Sequence, residues 1–413
     1  MLCQFTVKNY RSIKESLTLD MQATSISDHT DDIITGTDGE KFLPLAVIYG
    51  PNGSGKSTVL EAIANLLMKV MRPICAVCEK DCSEKLKKIP TVPFKFAKDT
   101  LNSPTEFEIY FRVNNTEYNY NLNVKSDIVV YESLYKRSIN SKRKSTIFIR
   151  NIKNDKNIEL SGTLKKLSVS EVTDTLPLLS YLAITNKKNS TIKEVISWIE
   201  EGINMVDYGN PHFEAKIPIS SSKKIKDLIL TMIKEMDIGI EDYRVDDKNE
   251  NKVKLFTKHI VNNKEFELDL IEESSGTFKL FGIMPRVAKS LIDGQTLLID
   301  ELDAKIHPKL LKYIISLYRS KDSNSNGAQL IFTSHDLYTM NSELFRRDEI
   351  WFIAKNIEQA SKIYSLVEFK DEDGKKVRND ARYEKQYLEG RYGADPYLRK
   401  IINWGDFFDE TRQ

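Results

Sequence analysis

The chain opens on alternating apolar and polar positions, Leu2-Cys3-Gln4-Phe5-Thr6-Val7-Lys8-Asn9-Tyr10, and a second such run, Leu17-Thr18-Leu19, follows a short polar turn. A period of two predicts strands, and the short joint predicts a hairpin. Residues 22–41 are polar, contain Gly36 and Gly39, and are expected to be loop. Leu43 to Tyr49 is an apolar strand. Thr58 to Met71 then carries Leu60, Ile63, Ala64, Leu67, Met68 and Met71 at helical spacing, a pattern expected to stop before Pro73. Residues 105–150 alternate Phe, Tyr, Ile and Val with polar residues and break at Asn114-Asn115 and Ser138 to Ser145, which predicts antiparallel strands. Residues 160–240 read as helical, notably Ile192 to Ile203 and Ile225 to Met236. A strand pair over Lys252 to Leu270, turning at Asn262-Asn263, leads to a helix ending near Ser290. Gln295 to Ile299 and Ala328 to Thr333 are buried strands by composition, with a helix over His307 to Arg319 between them.

Helices between apolar strands imply a parallel sheet. The fold class expected is therefore α/β: a central, mostly parallel sheet with an antiparallel β subdomain and a helical insertion. The expected division is residues 1–95 and 251–413 for the two parts of the core, 96–158 for the β subdomain and 159–250 for the insertion.

Between strand and helix stands Gly50-Pro51-Asn52-Gly53-Ser54-Gly55-Lys56-Ser57, which satisfies G-x-x-x-x-G-K-[ST]. Glycines let successive backbone amides turn toward phosphate, Lys56 supplies positive charge to the outer phosphates, and Ser57 is the expected magnesium ligand. The helix that follows points its amides and positive dipole end at the same anion. Asn52, Gly53, Ser54, Gly55, Lys56, Ser57 and Thr58 are thus the first candidates for contact with ATP and Mg2+. Downstream, Leu297-Leu298-Ile299 ends in Asp300-Glu301. An acid at a strand end beside a phosphate loop suits metal support, Asp300 acting with Ser57, and the next acid, Glu301, suits polarisation of an attacking water.

Composition narrows the setting. Lysine plus arginine (61) and aspartate plus glutamate (60) nearly cancel, so no global field draws the chain onto nucleic acid or membrane. Four cysteines make no disulfide framework, no signal-peptide pattern opens the sequence, and no run approaches the roughly 18 apolar residues of a membrane span. A soluble, cytoplasmic protein without membrane contact is expected.

Asp300-Glu301-Leu302-Asp303 with His307-Pro308, then Ser334-His335-Asp336 after the next strand, resembles the Walker B, D-loop and H-switch series of ABC-type ATPases. Ser274-Ser275-Gly276 stands at a helix start where that family places its signature. Ser274 and Gly276 align with the serine and second glycine of L-S-G-G-Q, while Ser275 and Thr277 depart from it. The resemblance implies a head-to-tail homodimer in which the signature of one subunit closes over nucleotide held by the phosphate loop of the other. A larger homo-oligomer is compatible with this. It also implies that His335 contacts the terminal phosphate, that Asp303 crosses the dimer interface, and that Glu301, His335 and Lys56 form the catalytic set. Asn9-Tyr10-Arg11-Ser12 resembles the start of SMC-like and DNA-repair ABC ATPases, which makes Arg11 a nucleotide-site candidate. A Q-loop glutamine and an adenine-stacking aromatic have no assignable counterpart.

More than two hundred residues separate phosphate loop and signature, without sustained heptads. This layout resembles compact AAA-15/AAA-21 ATPases related to OLD-family proteins of bacterial abortive-infection and phage-defence systems. Tyr131-Glu132-Ser133-Leu134 and Tyr387-Leu388-Glu389-Gly390-Arg391-Tyr392-Gly393 are similar to recurring pieces of that group. OLD-family proteins carry a Toprim nuclease, but only 78 residues follow His335 (413 minus 335), fewer than the roughly one hundred of a small domain. Asp371-Glu372-Asp373 beside Gly374 reads as a hairpin turn. The expectation is an ATP-hydrolysing sensor, scaffold or regulator of a separate effector, for instance a nuclease. Three other readings stay open. One is a slow or non-hydrolysing nucleotide-gated assembly in which ATP is structural glue, against which the presence of Glu301 counts. Lys136-Arg137 with Lys142-Arg143-Lys144 could meet DNA phosphate, as in a DNA-repair or DNA-structure-binding ATPase, and Cys75, Cys78 and Cys82 have a spacing that zinc could use.

Overall fold

The computed structural model describes residues 1–78, 91–141, 143–153, 157–206, 223–236, 238–246, 254–371 and 374–394. The opening alternation is the hairpin expected: β1 (Leu2–Lys8) pairs antiparallel with β2 (Leu17–Asp20). The stretch expected to be loop also holds a small ribbon, β3 (Ile34–Thr35) with β4 (Lys41–Phe42), ahead of β5 (Leu45–Tyr49). The phosphate loop then runs into α1 (Lys56–Cys78). Contrary to the sequence-based expectation, α1 continues through Pro73. Proline removes one amide donor, but Val70, Met71, Ile74 and Cys75 on either side of it are buried, and that packing carries the helix past the missing bond.

A short α2 (Lys98–Leu101) precedes five antiparallel strands: β6 (Thr105–Val113), β7 (Thr116–Lys125), β8 (Ile128–Ser138), β9 (Ser145–Asn151) and β10 (Ile158–Leu160). They join the opening hairpin in one seven-stranded sheet, ordered β10-β9-β8-β7-β6-β1-β2. Asn9, at the end of β1, is buried and clamps the segment before β6. Its amide donates to the carbonyls of Thr100, Ser103 and Pro104 (2.8, 3.0 and 3.2 Å), and its oxygen accepts from Phe94 N (3.0 Å).

The next segment is helical only in part. After α3 (Leu178–Thr185) and α4 (Ser190–Ser197), a π turn over Trp198–Gly202 ends the helix, and Ile203–Val206 is a strand, β11. The helix expected over Ile192 to Ile203 therefore stops short, because β11 gains a full parallel ladder along β15 (Thr296–Ile299) that a last helical turn could not offer. Beyond it lie α5 (Lys223–Glu235) and a three-stranded sheet of β12 (Asp242–Asp246), β13 (Lys254–Val261) and β14 (Lys264–Asp269). Asn262 and Asn263 both have positive φ (51° and 60°) at the expected turn.

The remaining elements are α6 (Ser275–Asp293), α7 (Pro308–Arg319), β16 (Gln329–Thr333), β17 (Ile350–Lys355), β18 (Ser361–Ser365) and α8 (Tyr383–Leu388). The central sheet runs β11-β15-β16-β5-β17-β18, parallel except for the β17–β18 hairpin at one edge. Both of its faces are buried, which explains why its strands read as unbroken apolar runs. Ala46, Ile48, Leu298, Ile331 and Ile353 pack with α1 and the antiparallel sheet. Leu45, Val47, Tyr49, Ile299 and Phe332 pack with α5, α6 and α7 on the opposite face. The tail motif also packs on this second side: Tyr387 and Tyr392 stack on Phe352, and Tyr364 donates a hydrogen bond to the Tyr392 carbonyl. Among the described residues no helix is long and apolar enough to cross a membrane.

Candidate functional site

Strands β5, β15 and β16 lie side by side and parallel, so their carboxyl ends, where α/β sheets bind ligands, deliver Gly50, Asp300 and Ser334 to one edge. The phosphate loop at this edge is shaped by positive φ values at its glycines, among them 74° at Gly53 and 110° at Gly55. At Gly55 a second restriction applies. A Cβ there would lie 2.6 Å from Ser361 Oγ and 2.8 Å from Ser12 Oγ. Ser361 Oγ donates to the Ser54 carbonyl (2.6 Å) and contacts Ser12 Oγ (2.8 Å), and Ser361 N donates to the Ser12 carbonyl (2.7 Å). The loop is thus propped from beneath by the β1–β2 turn and by β18.

Lys56 is the first residue of α1 and is buried; its ammonium donates to the carbonyls of Gly50 (2.9 Å) and Pro51 (3.2 Å). Burial lowers its pKa, while the charges of Asp300, Glu301 and Asp303 oppose that shift. Ser54 Oγ is buried with no hydrogen-bond partner, Ser57 and Thr58 are half-buried, and Asn52 and Gly53 are exposed. An orphaned hydroxyl, a buried ammonium and free helix-end amides at one cradle fit a triphosphate.

Asp300 and Glu301 follow β15, Glu301 exposed and at φ 49°. Thr333, the last residue of β16, ties them together: its hydroxyl donates to Asp300 Oδ1 (2.6 Å) and accepts from Glu301 N (2.7 Å). Asp303 Oδ2 accepts from His335 N (3.1 Å), and Asp303 Oδ1 is buried without a partner. Burial first, then the Lys56 charge, lowers the His335 pKa from 6.5 against the pull of Asp303, Glu301 and Asp300. The shift favours the neutral imidazole. Among the described residues no group of three or more His, Cys, Asp or Glu side chains could hold a metal ion. A pair such as Ser57 and Asp300, sharing the ion with phosphate oxygens, is what magnesium uses in phosphate sites.

Ser274 caps α6, its hydroxyl accepting from Thr277 N (3.1 Å) and meeting Thr277 Oγ1 (2.8 Å). The departure at position 277 thus supplies the cap's partner. Ser274 and Ser275 are exposed at this helix N-terminus, and Gly276 approaches the Lys305 carbonyl so closely that a Cβ would lie 2.9 Å from it. The hydrogen bonds of Ser274 stay within its own turn, and α6 touches the loop after Glu301. Arg11 lies along α1, its guanidinium 2.5 Å from Glu61, one helical turn beyond Ser57.

Sequence reading had no signal for Thr333 or Ser361, whose parts are set by pairing between distant strands, and at Asn9-Tyr10-Arg11-Ser12 it singled out Arg11 rather than Ser12. Glu132 is fully buried and accepts from the first amides of α3, Leu178 N (2.6 Å) and Leu179 N (2.9 Å). Of the basic stretch, Arg137 pairs with Glu117 and Glu40, Lys136 bonds Thr191, and Lys144 lies over the Tyr135 ring and bonds Asn119. Lys142 and Cys82 lie outside the described residues, as do Glu372 and Asp373. Cys75 is buried, and Asp371 begins a tight turn in which Lys375 N donates to its carboxylate (2.7 Å). Replacing Thr333 with valine should lower turnover about tenfold and raise the Mg2+ concentration required, since the orienting partner of Asp300, the expected metal ligand, is lost. A magnesium titration of phosphate release checks this.

A strand, phosphate loop and helix, with a parallel strand ending in Asp300-Glu301 one place removed across β16, and Asp303 and His335 on the adjoining loops, define a P-loop ATPase fold of the ABC type. The AAA_21 family model, described as "AAA domain, putative AbiEii toxin, Type IV TA system", matches residues 45–341, more than two thirds of the chain. The chain belongs to this family. Among solved structures it is similar to the SMC head domain from Thermotoga maritima, at 14% identity with 88% of this chain and 98% of that one covered, TM-score 0.44. It is likewise similar to an SmcHead bound to the C-winged helix domain of ScpA, at 14% identity with 88% and 97% covered, TM-score 0.40. A third is the Smc head domain with an extended coiled coil bound to the C-terminal domain of ScpA, from Pyrococcus furiosus, at 14% identity with 88% and 96% covered, TM-score 0.43. No curated protein matches the chain by sequence.

Proposed function

We propose that the chain hydrolyses ATP in composite sites formed by two copies of itself, and that this cycle controls a separate effector in bacterial defence against phage. The observation that carries the ATPase reading is the meeting of Lys56, Asp300, Glu301, Asp303 and His335, whose charges act on one another at the carboxyl edge of the sheet. Lys56 would exchange the Gly50 and Pro51 carbonyls for phosphate oxygens of ATP, and amides at the start of α1 would meet the same oxygens. Ser57 and Asp300 would hold Mg2+, which would offset phosphate charge during transfer. Glu301 orients a water so that its oxygen attacks the terminal phosphorus; the bond to the ADP oxygen breaks, and the water's proton passes to Glu301 or to phosphate. His335 would donate a hydrogen bond to that phosphoryl group. Ser274 and the Ser275 and Gly276 amides of a second copy would close the site, since in one copy they cap α6 and face outward.

The defence assignment rests on the family's description as a putative toxin of a toxin–antitoxin system. The DNA-structure-binding alternative draws less support, because Arg137 and Lys144 are engaged by side chains of the antiparallel sheet and Lys136 by Thr191 of α4. In solution the ATPase reading requires Mg2+-dependent phosphate release whose specific rate climbs with protein concentration, together with ATP-driven self-association in sedimentation. A specific rate independent of protein concentration would exclude the composite site.

A further inference from the structure

Lys279 sits five residues beyond Ser274 on α6 and is buried, a costly place for an ammonium group. Lysine offers three N–H donors and no acceptor. Here three backbone carbonyls of one loop receive them: Glu301 at 2.8 Å, Leu302 at 3.1 Å and Ala304 at 2.6 Å. One turn earlier, Gly276 lies against the Lys305 carbonyl, so two successive turns of α6 rest on both ends of the loop that begins at Glu301. The loop is wound tightly, with Glu301 and Lys305 at φ 49° and 61° and Ala304 N bonded to the Glu301 carbonyl (3.1 Å). It also fixes the chemistry, through Glu301 N on Thr333 and Asp303 on His335 N.

We propose that Lys279 is a positioning residue that joins the Ser274 end of α6 to the backbone carrying Glu301 and Asp303, so that engagement of Ser274 by the other subunit's ATP sets the geometry of this subunit's own site. The inference rests on the hydrolytic, composite-site reading above. A methionine would fill the same volume without having to lose a hydration shell; what lysine adds is the grip on three carbonyls. Burial lowers the Lys279 pKa to about 8, the cost of holding it there, against the pull of Asp303 and Glu301.

The test uses the full chain and its Lys279→Met and Lys279→Arg variants, with a fluorescent ATP analogue for affinity, sedimentation for ATP-driven self-association, phosphate release for turnover, and thermal melting. Lys279→Met is expected to keep nucleotide affinity and self-association while kcat falls about a hundredfold, the effect of misplacing a catalytic group by about an ångström. Lys279→Arg, which keeps the cation, should recover part of that loss. A folded Lys279→Met protein with kcat unchanged overturns the proposal and leaves the ATPase reading intact. So does a parallel fall of affinity, turnover and melting temperature in both variants, which marks a merely structural side chain. Should the methionine variant not fold, Lys279→Arg is judged alone: reduced kcat at unchanged affinity supports the proposal, and unchanged kcat overturns it. Absence of turnover in the wild-type chain overturns the hydrolytic reading and this inference together.

Discussion

Replacing Glu301 by glutamine should lower phosphate release by about a hundredfold or more, the usual contribution of a positioned general base. The substitution is nearly isosteric, and the backbone amide of residue 301 keeps its bond to Thr333 Oγ1, so the left-handed turn there has no reason to change. Glu301 is exposed, and its replacement should alter stability by no more than about 0.5 kcal/mol. Binding is assigned to other groups, Lys56, Ser57 and the loop amides, so affinity for ATP should persist and the ATP-bound dimer should accumulate. Phosphate release and sedimentation with ATP and Mg2+, run on the same preparation, measure both effects. Turnover equal to that of the wild type would remove Glu301 from the catalytic assignment.

The second large effect concerns stability and lies far from the phosphate loop. Glu132 has no solvent exposure and receives Leu178 N, Leu179 N and the Tyr120 hydroxyl (3.0 Å). Glu132→Ala leaves two helix-end amides and a phenol without acceptors in a buried site, at a cost of about 3–5 kcal/mol, enough to threaten folding of the unit. Glu132→Gln keeps one acceptor oxygen and should cost less. Burial raises the Glu132 pKa above 4.5, only partly countered by those amides, Tyr120 and Arg150. A carboxyl that binds its proton more tightly when folded stabilises the fold below pH 4.5, and that contribution fades as pH rises through the raised value. The gap in melting temperature between wild type and Glu132→Gln should therefore change across that window, and a gap constant with pH would contradict the assignment.

Residues that meet a phosphate through consecutive backbone amides have to be neighbours in the chain, so Gly50 to Ser57 was legible before any fold was known. The same holds for Asp300-Glu301 at the end of an apolar strand and for the Asn262-Asn263 turn. Thr333 and Lys279 act on Asp300 and Glu301 across 33 and 22 positions of sequence, and only strand register and helix placement bring them there. β11 was missed because Ile203-Asn204-Met205-Val206 is too short to establish a period of two and follows directly on helical turns. In the seven-stranded sheet the opening hairpin and the breaks at Asn114-Asn115 and Ser138 to Ser145 were readable, but the Ser126-Asp127 turn between β7 and β8, the short β10, and the continuity with the hairpin through β1 and β6 were not. Glu132 stood out as part of a recurring piece, and its reason, the capping of a helix that begins 46 residues later, became visible only with the fold.

The order of strands in the central sheet also dictates when the nucleotide pocket can come into being. β5, which ends in the phosphate loop, has β16 and β17 as its only neighbours in that sheet, and β16 begins about 280 residues later. At ribosomal rates of about 5–20 residues per second, the Leu45-Ala46-Val47-Ile48-Tyr49 segment waits roughly 15–60 s for its first ladder partner. Throughout synthesis it is an uncharged apolar run with both edges unpaired, the kind of segment that seeks strands on other chains. An incomplete chain ending before Gln329 would carry the whole phosphate loop and no bed to hold it. The bed of the phosphate loop is thus complete only after Gln329–Thr333 has been made, and chaperones have their longest opportunity at the chain's most recognisable motif.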